Sequence, residues 1–354
     1  MKRIVLTGGG TAGHVTPNIA LLSKLKEKNY DIHYIGSYHG MEKDLITQLD
    51  IPYHGISSGK LRRYFSLQNF TDPFRVIKGF GEASRLIRHL KPDVIFSKGG
   101  FVTVPVVVAG KLNRVPTIIH ESDMTIGLAN TISMPFSTKV CCNFPATAQI
   151  LKNKAVLTGQ PIREELLVGD RDKALAFTGL SSENPTLLVV GGSSGAVSVN
   201  NAVRRALPSL TKEFQIIHIC GKGKIDSSLN NFDNYIQYEY IQDELPHLFA
   251  LADVVVSRAG ANAICEFLAL NLPNLLIPLP LSASRGDQLL NAHSFEEQGF
   301  SRVLEEEFLT PERLVEVLQS LYQQRHTYIQ AMQASAQKNA VDTITTLIDE
   351  LATK

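Results

Sequence analysis

The chain has 354 residues, of which 44% are apolar and 19% charged. At roughly 100–200 residues per domain this length predicts two domains, and the composition excludes a disordered or collagen-like chain. A formal net charge of +1 speaks against a nucleic-acid partner, but the total hides a split. Residues 1–160 carry 20 basic and 10 acidic side chains, whereas residues 161–354 carry 15 and 24. Residues 60–91 alone hold 8 basic and 2 acidic side chains, a concentration that calls for an anionic partner. Cys141, Cys142, Cys220 and Cys265 have no metal-ligand spacing and lie in apolar surroundings, as buried reduced thiols of a cytosolic protein do. The opening MKRIVLTGGG breaks too early for a signal-peptide core. The apolar run 101–110 contains Pro105 and is about half a membrane span.

Short β-branched runs ending in Gly or Ser alternate with longer amphipathic segments, which predicts parallel α/β units. In the first half, residues 3–6, 31–35, 94–96 and 117–119 read as buried strands. They lead into GGGTAGH, GSYHG, SKGG and HESD respectively. In the second half, residues 186–190 lead into GGSSGA, 215–219 into CGKGK and 254–256 into SRAGAN. Residues 275–278 lead through Pro280 into SASRGDQ. The boundary falls near TGQPIR, residues 158–163. Residues 311–354 read as helical, with Thr310 as cap and Pro311 in the first turn. Open parallel sheets bind ligands at the carboxyl ends of their strands, where the glycines, the histidines, Glu121 and Gln288 fall.

Gly8-x-Gly10-x-x-Gly13 formally matches a dinucleotide fingerprint. The second strand, however, ends Tyr34-Ile35-Gly36-Ser37 with no ribose-binding carboxylate before Glu42, which disfavours NAD. Either the glycines serve only a tight turn, or the loop is a backbone N–H site for phosphate. GGSSGA repeats the device with the hydroxyls of Ser193 and Ser194. SRAGAN, including Gly260, Ala261 and Asn262, is a third instance. Glu266 lies about one and a half helical turns beyond Gly260. Its neighbours, AICEFLALNLP, are almost wholly apolar, which favours an inward carboxylate able to accept both ribose hydroxyls. Gln288 can hydrogen-bond a sugar; Arg258 is structural or phosphate-facing, and spacing does not decide. Asp170-Arg171-Asp172 reads as a solvated helix start, not a metal triplet. A diphosphate would then be met by helix N-termini and Arg163, with no metal and no cofactor.

GGGTAGHVTPN, SSGKLRR, SKGGFVTVP, HESD, TGQPIRE, GGSSGA, SRAGANAICE and SRGDQLLNA, in that order over about residues 2–330, resemble the MurG family of peptidoglycan glycosyltransferases. The resemblance implies an α/β GT-B fold: two Rossmann-like domains, residues 1–160 and 161–335, facing a central cleft. A C-terminal helix, residues 336–354, returns to the N-terminal domain. It implies transfer of N-acetylglucosamine from UDP-N-acetylglucosamine to undecaprenyl-linked muramyl-pentapeptide, at the cytoplasmic face of the cell membrane. By the same resemblance, Thr11, Ala12 and Gly13 touch the nucleotide sugar and the acceptor diphosphate. Arg163 and Ser193, with Ser194 beside them, meet the UDP phosphates. The Ile241 backbone meets uracil, Glu266 the ribose and Gln288 the sugar. Two departures are visible: Ala12 stands where many members have Gly, and HESD replaces HEQN, so Asp123 replaces an Asn that contacts the donor.

An α-linked donor and a β-linked product require one in-line displacement through an oxocarbenium-like transition state. A base must take the acceptor 4-hydroxyl proton, and His14 and Glu121 are both candidates. Residues 72–91 place Phe74, Ile77, Phe80 and Leu86 among Arg75, Lys78, Arg85 and Arg88. They read as part of a surface, residues 60–91, for an anionic membrane, or as an ordinary helix packing its apolar side. A diacylglycerol glycosyltransferase and a UDP-N-acetylglucosamine 2-epimerase are the alternative activities.

Overall fold

The computed structural model describes residues 1–59, 72–192, 195–335, 337 and 339–352. The chain divides into two compact units, Met1–Arg163 with Asn339–Lys354, and Glu164–Lys338.

The first unit is built on seven parallel strands: β1 (Arg3–Thr7), β2 (Asp31–Ser37), β3 (Tyr53–Ile56), β4 (Val94–Ser97), β5 (Thr117–Glu121), β6 (Lys139–Cys142) and β7 (Ala155–Leu157), in the order β3-β2-β1-β4-β5-β6-β7. The central strands are buried along their length, as continuous β-branched runs require when helices cover both faces. The strand order reverses between β1 and β4, the place where open α/β sheets take ligands. Thr7 is paired with Ser97, so the loops after these two strands leave the sheet side by side.

The last helix, Val341–Leu351, belongs to this unit, as the family fold requires. Ile344, Leu347, Ile348 and Leu351 share a core with Ile4, Leu6, Leu25 and Val94. Tyr30 donates to the Asp349 carboxylate at 2.7 Å, and Lys28 pairs with the same carboxylate. The helix Asp72–Leu90 divides its apolar residues. Ala83, Ile87 and Leu90 are buried and Phe80 and Leu86 pack against them, while Phe74 and Ile77 are 74% and 67% exposed. Residues 60–71 of the basic segment lie outside the described residues.

The second unit carries six parallel strands: β8 (Thr186–Val190), β9 (Gln215–Ile219), β10 (Tyr235–Tyr238), β11 (Val254–Ser257), β12 (Asn274–Leu276) and β13 (Arg302–Val303), in the order β10-β9-β8-β11-β12-β13. Its reversal lies between β8 and β11, the strands that feed GGSSGA and SRAGAN. The Asp170 carboxylate accepts from the Asp172 and Lys173 amides and caps Arg171–Thr178, the helix start read from the sequence. β3, β6, β7, β10 and β13 escape the sequence patterns. They are short outer strands, three of them only half-buried for most of their length; β3, β6, β10 and β13 carry a Gly, polar residues or thiols where β-branched runs are expected, and β7 has only three residues. All four cysteines are free and buried.

Candidate functional site

In the first unit the loop after β1 is shaped by close backbone approach. A Cβ on Gly100 would come within 2.2 Å of the Gly9 carbonyl oxygen, and Gly100 also has φ +92, so a side chain is excluded twice. The Gly9 amide donates to the Gly99 carbonyl at 3.3 Å, which joins the loops that follow β1 and β4. Thr11 and Ala12 are exposed; Ala12–His14 form a single 3-10 turn before a five-residue helix.

His14 Nδ1 lies 2.9 Å from the Gly9 carbonyl oxygen and 3.2 Å from Thr11 Oγ1. A carbonyl only accepts, so Nδ1 carries the hydrogen and Nε2 of the neutral ring keeps its lone pair. Burial holds His14 below the ordinary imidazole range, and the Lys98 charge adds to this, while the Gly9 bond opposes it. The helix that follows, Thr16–Ala20, is too short for its end to be the main cause. His14, Gly10, Thr11, Glu42, Lys78 and Phe101 are among the residues lining a cavity of about 910 Å³.

Glu121 ends β5 and is 4% exposed. Oε1 accepts from the Asp123 amide at 3.1 Å; Oε2 accepts from the Gly127 amide and Asn130 Nδ2, both at 2.9 Å. Burial raises its pKa above the ordinary carboxylate value. The carboxylate therefore organises the loop that carries Asp123. Beside it, Lys98, 1% exposed, donates to His120 Nδ1 at 2.9 Å and to Ser122 Oγ, and His120 Nε2 donates to the Gly159 carbonyl at 2.9 Å. Burial, then Lys98, holds His120 well below the ordinary range, so the ring is neutral. Arg163 closes this unit with a buried Nε that has no hydrogen-bond partner among the described residues.

In the second unit Ser193 and Ser194 lie outside the described residues. A Cβ on Gly195 would fall 2.0 Å from the Cys220 carbonyl oxygen at φ +66, so the turn into the helix Val197–Leu210 needs glycine. Among the described residues no side chain caps that helix or the helix Ala261–Leu270, whose N-cap is Gly260. Uncapped starts present backbone N–H groups to an anion. Ala261, Asn262 and Glu266 stand on the same helix, with Asn262 and Glu266 half-buried. Ile241 is buried just beyond β10. Gln288 Oε1 accepts from the Leu279 amide at 3.0 Å, leaving its amide nitrogen as the end with hydrogens to offer. Arg258 is structural: it donates to the Ile277 and Pro278 carbonyls and to Ser198 Oγ, and pairs with Glu306 at 2.5 Å.

Glu42, Lys98 and Asn130 were not singled out from the sequence. Glu42 carried one usable signal, an acid just after the glycine-containing turn GSYHG. Among the described residues no group of three His, Cys, Asp or Glu is placed to hold a metal, and no helix is long and apolar enough to cross a membrane.

A model described as the glycosyltransferase family 28 N-terminal domain matches residues 4–142, and one for the family's C-terminal domain matches residues 186–347. Over the full length of both chains the protein is 61% identical to a UDP-N-acetylglucosamine–N-acetylmuramyl-(pentapeptide) pyrophosphoryl-undecaprenol N-acetylglucosamine transferase of Lachnoclostridium phytofermentans. It is 59% identical to the transferase of the same name from Lachnospira eligens, covering 99% of each chain. The crystal structure of Acinetobacter baumannii MurG superposes with a TM-score of 0.79 at 26% identity, covering 99% of this chain and 100% of that one.

Proposed function

Because the chain belongs to glycosyltransferase family 28, and within it to the MurG transferases, we propose that it moves N-acetylglucosamine from UDP-N-acetylglucosamine to the 4-hydroxyl of undecaprenyl-diphospho-N-acetylmuramyl-pentapeptide with inversion. The observation that carries this is full-length identity of 61% to a transferase of that name. The diacylglycerol transferase and the 2-epimerase are not favoured.

The residues divide the work. The uncapped starts of Val197–Leu210 and Ala261–Leu270, together with Arg163, stabilise the departing UDP diphosphate. The Nε of Arg163, unmet among the described residues, supports that role, since a buried donor is costly without a partner. Glu266, Gln288 and the Ile241 backbone orient the donor. The loop Thr11–Gly13 meets the acceptor diphosphate, and residues 1–160 are the acceptor side. His14 is the base: its ring is neutral, its tautomer is set by the Gly9 carbonyl, and Nε2 is the proton acceptor. Glu121, with three donors on its carboxylate, holds the loop of Asp123 and takes no proton. Phe74 and Ile77, exposed beside Arg75 and Lys78, rest on an anionic membrane surface, which makes the enzyme peripheral.

Incubation with UDP-N-acetylglucosamine and a short-chain lipid acceptor should yield the lipid-linked disaccharide. Epimerised nucleotide sugar, or no disaccharide, would overturn the assignment.

A further inference from the structure

One tightly held side chain beside the first glycine loop is not used by the mechanism. Glu42 is 1% exposed, in the first turn of the helix Met41–Thr47. Its Oε1 accepts from the Ser37 amide at 3.1 Å and the Ser37 hydroxyl at 2.5 Å, and its Oε2 accepts from the Gly10 amide at 3.2 Å. Three glycines are shaped by it. A Cβ on Gly9 or Gly40 would lie 2.6 or 2.2 Å from the carboxylate, and one on Gly36 would lie 2.9 Å from Glu42 Cγ.

This placement is costly for an ordinary structural acid. A buried negative charge is expensive to keep, and here it sits against a loop whose expected ligand is itself an anion. It also occupies the Gly10 N–H, a donor the loop would otherwise offer to phosphate. What it provides is a fixed peptide at Gly9–Gly10. The carbonyl of Gly9 is the group that accepts from His14 Nδ1, so the orientation of that peptide decides where the imidazole points.

We propose that Glu42 is a positioning residue for the transfer reaction: its carboxylate ties the end of β2 to the Gly9–Gly10 peptide and so holds the loop that carries His14 and meets the acceptor. The proposal rests on the assignment of His14 and this loop to the acceptor side. In this role Glu42 acts through the Gly9–Gly10 peptide and not on the transferred proton.

Glu42→Gln is nearly isosteric but presents an NH₂ to one of the donors Ser37 or Gly10, so one tie becomes a donor–donor conflict. A displacement of the base by an ångström or less should lower kcat/KM for the lipid acceptor by about 10- to 100-fold, with the acceptor KM raised. The KM for UDP-N-acetylglucosamine should stay unchanged. Loss of folded protein alone would lower Vmax and leave both KM values as they are, and that result overturns the proposal. Ser37→Ala removes only the 2.5 Å hydroxyl bond and is expected to show the same pattern more weakly, which guards against a variant that does not fold. Hydrogen exchange over residues 8–15 gives a readout independent of turnover, and Glu42→Gln should accelerate it. Unchanged exchange with acceptor kinetics equal to the parent overturns the clamp while leaving the activity intact. A parent that makes no disaccharide overturns the assignment beneath it, and the exchange measurement still decides the clamp.

Discussion

Replacing Glu121 by Gln separates a base from a brace. The carboxylate has three donors on two oxygens, at 3.1, 2.9 and 2.9 Å. Glutamine keeps one oxygen. If that oxygen stays with Gly127 and Asn130, the new NH₂ faces the Asp123 amide, so one charge-assisted bond is lost and a buried donor goes unmet. Such a change costs about 1–3 kcal/mol, which should appear as a lower urea midpoint at unchanged slope. If the whole loss passes into loop placement, kcat/KM falls by about 5- to 150-fold. The decisive assay is the pH dependence of kcat/KM. In the proposed role His14 serves as base only when neutral, and burial puts its pKa below the ordinary imidazole value. Activity should therefore be flat above about pH 6.5 and fall on acidification below it. Glu121→Gln should keep that acid limb at reduced height, whereas His14→Asn should abolish it. Loss of the limb in Glu121→Gln, with its persistence in His14→Asn, would reverse the two roles.

Acid should weaken the fold through His218, which is fully buried and whose pKa burial, then Arg204, lowers to about 3. The unfolded chain takes up a proton below about pH 6.5 that the folded chain refuses, so stability is lost as pH falls, by up to about 1.4 kcal/mol per unit. Urea unfolding from pH 6.5 to 4.5 should be steeper in pH for the parent than for His218→Gln, and equal slopes would refute the account. On the helix Asp72–Leu90, Phe74→Ser with Ile77→Ser should weaken binding to anionic vesicles by about tenfold or more, each side chain being two-thirds or more exposed. Unaltered sedimentation with vesicles would remove these residues from the membrane surface.

Much of this protein was legible in one dimension. Strands such as residues 186–190 and 215–219 stand out because a parallel strand buried on both faces has to be a continuous β-branched run. The glycine loops stand out because sharp strand-to-helix turns exclude Cβ atoms. The eight ordered motifs then point to a family, and the full-length match bears that out. Outer strands such as β3 and β7 did not stand out, since half-buried edges tolerate mixed composition. The split of the helix Asp72–Leu90 into a packed end and an exposed end was equally invisible, because its apolar spacing suits either partner.

The roles of ionisable groups needed the tertiary structure, for a physical reason. A side chain's protonation and reach depend on which donors and charges surround it, and those come from distant parts of the chain. Glu121 and His14 look interchangeable as bases in sequence; three hydrogen bonds to one and a carbonyl 2.9 Å from the other distinguish them. Arg258 could have faced phosphate until Glu306 was found against it. Glu42 entered the sequence reading only as a carboxylate too late in the chain to bind a ribose, because the Gly10 amide it holds is 32 residues away. The sequence by itself determined the central strands, the loops that follow them and the family. Folding decided which carboxylate three donors hold, which imidazole nitrogen faces a carbonyl, and which arginine is already paired.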